Sequence, residues 1–151
     1  MRELRSAVAV ALLGCAASGA TPQAQETRRY IAPSTATEAG RPPFSGAVQV
    51  GKTLYLSGDI GLDATGKVPA TAEAEARLLL DSVQRTLKEA GLSMDDLVFV
   101  TVYCSDVKHY DAFNKVYRTY FKKEFPARAF IGAGTLLFNA RFEMQGIAVQ
   151  R

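Results

Sequence analysis

An arginine and a glutamate fifteen positions apart, Arg128 and Glu143, stand inside two apolar segments near the end of this 151-residue chain. Charged side chains in strand-like surroundings (Pro126-Ala-Arg-Ala-Phe130 and Phe142-Glu-Met144) allow two readings. In one they are a structural ion pair, each neutralising the other. In the other they are a site, with a planar guanidinium holding a carboxylate through two parallel donors and a glutamate handling a proton. Ser57-Gly58, at the end of another apolar run, is open in the same way. It is either a turn or a hydroxyl beside an unobstructed stretch of backbone.

Other candidates are weaker. Gly46-Ala-Val-Gln-Val-Gly-Lys-Thr53 satisfies the phosphate-loop spacing, but its middle residues are strand formers and no helical pattern opens after Thr53. A phosphate cradle needs that helix, so the segment reads as a hairpin. Gly132-Ala-Gly134 opens no helix either. Cys104 at a strand end, with no histidine near it in sequence, reads as a packed thiol. His109 precedes a helix and reads as a surface or capping residue. Glu73 and Glu75 are expected on the outer, solvated face of a helix, and Tyr117 and Tyr120 in the core. One histidine and two cysteines leave no histidine cluster for a metal and no disulfide framework.

The elements that must position these residues begin after an atypical start. Basic Arg2 and Arg5 precede the apolar run Ala7–Leu13, and small residues close it at Ser18-Gly-Ala20. Residues 1–20 therefore read as a secretory signal peptide, and Leu12-Leu-Gly-Cys15 resembles a lipobox that would lipidate Cys15. The expected location is exported, periplasmic, with membrane attachment only through that lipid. Residues 21–43, rich in Thr, Ala, Pro and Gly, read as a tether containing a short edge strand near Arg29–Ala32. Residues 44–151 form the domain.

Within it, Ala47–Val50 and Thr53–Ser57 alternate as two strands joined by a turn at Gly51-Lys52. Ala76, Leu79, Leu80, Val83, Leu87 and Ala90 recur at helical spacing, and Gly91 stops that helix. A second helix is expected from Tyr110 to Phe121. Leu97–Tyr103 is apolar enough to be buried on both faces, and residues 127–133 and 141–149 close the chain as strands. The order is βββ-α-β-α-ββ, an α+β domain. Two helices cover one face of such a sheet, so the other face of Leu97–Tyr103 calls for a second copy of the protein. Composition is that of a globular chain, 48% hydrophobic and 22% charged. A net charge of +3, unconcentrated by any basic run, argues against a nucleic-acid partner.

Pro42-Pro-Phe-Ser-Gly-Ala-Val48, Leu56-Ser-Gly-Asp-Ile60, Asp111-Ala-Phe-Asn-Lys-Val-Tyr117, Pro126-Ala-Arg128 and Phe142-Glu-Met-Gln-Gly-Ile-Ala148, in this order and spacing, resemble the RidA (YjgF-like) family of enamine/imine deaminases. The resemblance spans about residues 28–151. It implies a chorismate-mutase-like fold, a mixed six-stranded sheet with two helices on one face, assembled as a homotrimer with pockets at subunit interfaces. It implies hydrolysis of small 2-imino or enamine acids to 2-keto acids and ammonia, without metal or organic cofactor. Arg128 would clamp the substrate carboxylate and Glu143 would position or activate water. Ser57, Gly58, Phe44 and Phe130 would line the pocket.

The chain departs from the family pattern at several of these positions. Phe44 stands where a tyrosine is frequent, Phe130 where a cysteine is usual, Asp59 where glutamine is common and Leu137 where proline is usual. Phe142 replaces an aliphatic residue and Gln145 a second glutamate. The implied pocket is more aromatic, with an altered polar lining that bears on substrate scope. The alternative is a non-catalytic trimer that binds small carboxylate metabolites. An RNA-binding or nuclease role would need a basic patch with exposed aromatics.

Overall fold

The computed structural model describes residues 27–33 and 42–151. The expected leader, the expected lipobox at Cys15 and most of the expected tether lie outside the described residues. The elements are β1 (Arg28–Ile31), β2 (Ala47–Val50), β3 (Thr53–Ile60), α1 (Ala72–Glu89), β4 (Leu97–Cys104), α2 (Tyr110–Tyr117), β5 (Ala127–Gly132) and β6 (Phe142–Val149). They form one six-stranded sheet in the order β1-β2-β3-β6-β4-β5. Only β4 and β5, joined through α2, run parallel; the other neighbours are antiparallel.

Local chemistry accounts for the elements. Gly51, at φ 55°, makes the tight turn between β2 and β3, as the Gly-Lys pair predicts. Thr71 caps α1 by accepting from the Ala74 amide at 3.2 Å. At the other end Gly91 adopts φ 78°, while the Leu92 amide reaches Leu87 O at 2.8 Å and the Gly91 amide reaches Lys88 O at 3.0 Å. That pair of bonds is a Schellman stop. The apolar stripe of α1 packs with Phe113, Val116 and Tyr117 of α2 onto Leu54, Leu56, Val100, Val102, Phe142 and Met144 of the sheet.

Two expectations need correction. The second helix ends as an α-helix at Tyr117 and tightens into a 3₁₀ turn over Arg118–Tyr120. There the Thr119 hydroxyl donates to Val116 O at 2.7 Å, and Tyr120, partly buried against the core, donates its hydroxyl to Asp81 Oδ1 at 2.6 Å. Glu75 is not solvated but wholly buried, for a reason given below. The helices cover one face of β4, and on the other Thr101 is still buried. On the open face Phe99 is 42% exposed and lies in one row with Ile147 and Tyr55, itself 50% exposed. Adjacent Val98 is 48% exposed.

Candidate functional site

β2 stops at Ala47, whose partner is Leu56, so the second half of β3 has β6 on one side and no strand on the other. The β3–β6 register also shifts between Leu56 and Asp59, a bulge centred on Ser57-Gly58. A cavity of about 510 Å³ opens along this freed edge. It is lined by Ser57, Gly58, Asp59 and Ile60 of β3, Val83 and Thr86 of α1, Phe44, Leu137, Phe138 and Glu143.

Glu143 reaches the cavity because residues alternate along β6. Phe142, Met144, Gly146 and Ala148 are buried towards the helices, which turns Glu143 to the open side. Its carboxyl lies directly over Gly58, where any Cβ would collide with Oε1. A Cβ at this position would therefore displace the end of the glutamate side chain. Burial pushes the Glu143 carboxyl above the ordinary glutamate range, and the neighbouring Asp59 charge pushes it further. Asp59 is itself raised by burial, against the pull of the Ile60 amide, which donates to its Oδ1 at 2.9 Å, and of the Arg85 guanidinium. Ser57 donates both its amide and its hydroxyl to Gly46 O at 3.0 Å. The hydroxyl oxygen keeps its lone pairs available to a ligand.

The far wall is strained. Phe138, 68% exposed, adopts φ 56°, and Asn139 follows at φ 57°. Left-handed backbone in an aromatic residue is costly and clusters at functional sites.

Arg128 lies elsewhere. It projects from β5 to the helix face of the sheet, where its guanidinium carbon is 4.7 Å from the Tyr117 ring centroid and 5.6–6.0 Å from those of Phe130, Tyr110 and Phe113. Nη2 donates to Asn114 Oδ1 at 2.8 Å. Nη1 is buried without a partner, as is the Tyr117 hydroxyl. Burial pushes that phenol up to about 12 despite the nearby guanidinium. A second cavity of about 180 Å³ adjoins them, lined by Asn114, Tyr117, Arg118, Phe125, Pro126 and Arg128.

The predicted residues thus divide into two groups. Ser57, Gly58, Phe44 and Glu143 share one cavity, while Arg128 lines the other and Phe130 packs against its guanidinium. Within a protomer Arg128 and Glu143 point to opposite faces and make no ion pair, so the purely structural reading of the two as a salt bridge falls. Cys104 is buried, its thiol donates to Asp106 O at 3.0 Å, and burial disfavours the thiolate. His109 sits at the N-cap of α2 without a side-chain cap and packs edge-on to Phe142. Among the described residues no group of three or more His, Cys, Asp or Glu could hold a metal ion.

The family model described as Endoribonuclease L-PSP matches residues 34–150. The chain belongs to this family. Endoribonuclease L-PSP relatives include the mouse protein named 2-iminobutanoate/2-iminopropanoate deaminase, 37% identical over 124 residues that cover 81% of this chain and 92% of that one. The human protein of the same name is 37% identical over 126 residues, covering 82% and 90%. The fold matches the YjgF gene product from E. coli with a TM-score of 0.74 at 33% identity, over 82% of this chain and 99% of that one. RidA from an Antarctic Psychrobacter matches with a TM-score of 0.69 at 27% identity, over 72% and 89%. The α+β architecture expected from the resemblance, a mixed six-stranded sheet with two helices, is the one observed.

Sequence reasoning missed two residues that shape the site. Glu75 accepts from the Arg141 amide at 2.6 Å, the Phe142 amide at 2.9 Å and Arg141 Nη1 at 2.8 Å. It therefore pins the start of β6 one residue before Glu143. The signal was present, since Glu75 stands one helical turn before Leu79 on the buried stripe. Asn114, which orients Arg128, lay within a quoted motif but had no assigned role.

Proposed function

We propose that this protein hydrolyses 2-imino acids to 2-keto acids and ammonia, at pockets that a second copy of the chain completes. The observation that carries the reading is the division of the polar groups. Glu143 lies over Gly58 in a largely apolar cavity, while Arg128 ends on a buried Nη1 without a partner. Neither half alone fits a carboxylate-bearing imine, and the two halves together do. The row of exposed Tyr55 and Phe99 with half-buried Ile147 between them gives a second copy an apolar surface to cover. The relatives named as imine deaminases support the same chemistry, and the family resemblance favours a homotrimer.

The partner subunit's Arg128 holds the substrate carboxylate, with Ser57 and the backbone at Gly58 beside the reacting carbon. Glu143 takes a proton from water as its oxygen bonds to the imine carbon and the C=N pair moves to nitrogen. The proton is passed to that nitrogen. The carbinolamine hydroxyl then gives its proton by the same route, the C–N bond breaks, and ammonia leaves as the keto group forms. General-base assistance of this kind contributes about 10²–10⁴-fold, and fixing the carboxylate adds an orientation term. Two carboxyls in one cavity suit a substrate nitrogen that gains positive charge, and they repel a phosphodiester. This favours imine hydrolysis over the nuclease named in the family description. The leader-like start adds that the reaction takes place outside the cytoplasm, in the periplasm.

The test uses an amino-acid oxidase to generate an imino acid in the presence of semicarbazide. The protein should suppress semicarbazone formation, and Arg128→Ala should abolish that effect. Binding of 2-keto acids with no turnover by the folded protein would replace this reading with that of a carboxylate binder.

A further inference from the structure

The cavity beside Glu143 is larger than the reacting atoms require. An imino acid with a methyl or ethyl side chain displaces roughly 200 Å³ or less, taking the liquid volume of water for each heavy atom. The cavity holds about 510 Å³, within the range of sites that enclose a whole ligand. The groups placed for the reaction gather at the β3 bulge, where the Glu143 carboxyl lies over Gly58 and Ser57 stands next to it. Apolar side chains continue from there. Ile60 faces Glu143 across the β3–β6 ladder, so the two share one side of the sheet. Asp59 faces Met144 instead, on the helix side, where the Ile60 amide donates to its Oδ1 at 2.9 Å. Phe44, Leu62, Leu137 and Phe138 extend the apolar lining.

Phe44, Leu137 and Phe138 are exposed in the protomer, and Phe138 is held so by a built turn. Phe138 and Asn139 both adopt positive φ, and the Asn139 and Ala140 amides donate to Leu136 O at 3.2 Å and Leu137 O at 3.0 Å. Arg141, just beyond, is fixed by its bonds to Glu75. A strained turn that keeps an aromatic ring in water gains nothing for folding, and such strain marks functional walls. We infer that the cavity takes 2-imino acids with a bulky apolar side chain, of the leucine, methionine or phenylalanine class, and that Ile60, Phe44 and Phe138 select them. The inference rests on the imine-hydrolysing reading above and narrows its substrate. With the carboxylate on the partner subunit's Arg128 and the imine carbon at Glu143, the side chain runs along Ile60 towards the two phenylalanines. Even a benzyl-bearing imino acid, at roughly 350 Å³ by the same measure, fits the cavity. A branched or aromatic side chain covers apolar surface that a methyl group leaves wet. Phe44 offers no hydroxyl to a polar one.

The experiment gives the assembled full-length protein the imines that a D-amino-acid oxidase makes from D-alanine and from D-leucine, with semicarbazide as the competing trap. In parallel, calorimetry measures binding of pyruvate and of 4-methyl-2-oxopentanoate. The leucine-derived imine should have the higher kcat/KM by at least about tenfold, and the larger keto acid should bind more tightly by a similar factor. Phe138→Ala and Ile60→Ala should each lower both ratios about fivefold or more, and Phe138→Leu should restore most of the loss. A Phe138 that only shapes its turn would affect both ligands alike and leave the ratios in place. Ratios near one in the folded wild type, or no binding of the larger keto acid, overturn the inference. Unchanged ratios in both alanine variants together with altered subunit assembly assign these side chains to the contact between copies, and overturn it as well. If neither imine is hydrolysed, the deaminase reading fails, and the keto-acid ratio still decides whether the cavity selects a bulky apolar side chain.

Discussion

Replacing Glu75 is the strongest perturbation available away from the cavity. Its carboxylate is 0% exposed and accepts three hydrogen bonds, from two backbone amides and from Arg141 Nη1. Arg141 also donates to Pro69 O at 2.9 Å and Ala70 O at 3.0 Å, so this one cluster ties α1, the loop before it and the start of β6 together. In Glu75→Ala two amides lose their acceptor and the Arg141 guanidinium loses one acceptor and its counter-charge. Each stranded buried amide costs about 1–3 kcal/mol, and breaking a buried ion pair costs about 3–5 kcal/mol. These costs overlap, which points to a net loss of about 4 kcal/mol. Glu75→Gln keeps one carbonyl oxygen for the amides and should lose about half as much. The assay is urea unfolding at fixed protein concentration, because the proposed assembly would make stability depend on concentration. A loss under about 1 kcal/mol in Glu75→Ala would refute the reasoning, since no buried hub could be removed so cheaply.

Three further outcomes follow from the geometry. Gly58→Ala drives a Cβ into Glu143 Oε1, so kcat should fall about 10²-fold with the fold intact; steady-state kinetics within about threefold of wild type would contradict this. Tyr117→Phe removes a buried hydroxyl that has no partner, so urea unfolding should show stability unchanged or raised by up to about 1 kcal/mol. Glu143→Gln should raise thermal stability at pH 7 while turnover falls about 10²–10⁴-fold. Its folded carboxyl binds the proton more tightly than in the unfolded chain, so ionisation penalises the fold as pH rises past the unfolded value near 4.5. The variant's advantage in a pH series of thermal melts should therefore be full at neutral pH and vanish on acidification below that value.

The element order was legible because each element declares itself locally. β6 alternates, α1 repeats its apolar stripe at helical spacing, and Gly51 and Gly91 mark a turn and a stop. Arg128 and Glu143 were legible as residue types, and their placement was not. The alternation of Phe142, Glu143 and Met144 turns the glutamate outward. The run from Ala127 to Ile131 does not alternate clearly, so only the register of β5 against β4 reveals that Arg128 faces the helices. Glu75 was misread because an acidic residue in a first helical turn usually faces water. Its burial depends on Arg141, 66 residues away, which no local pattern reports. The outer face of β4 was read as needing cover, and Phe99 and Val98 remain open in the protomer, where a partner would supply it.

Subunit mixing tests the central claim most directly. Arg128→Ala and Glu143→Gln, each inactive in the imine assay, are unfolded together and reassembled. If every site takes its arginine from one copy and its glutamate from another, random trimers should recover about a quarter of wild-type activity. Mixed trimers that stay as inactive as their parents, beside an active wild type, would contradict a pocket shared between copies.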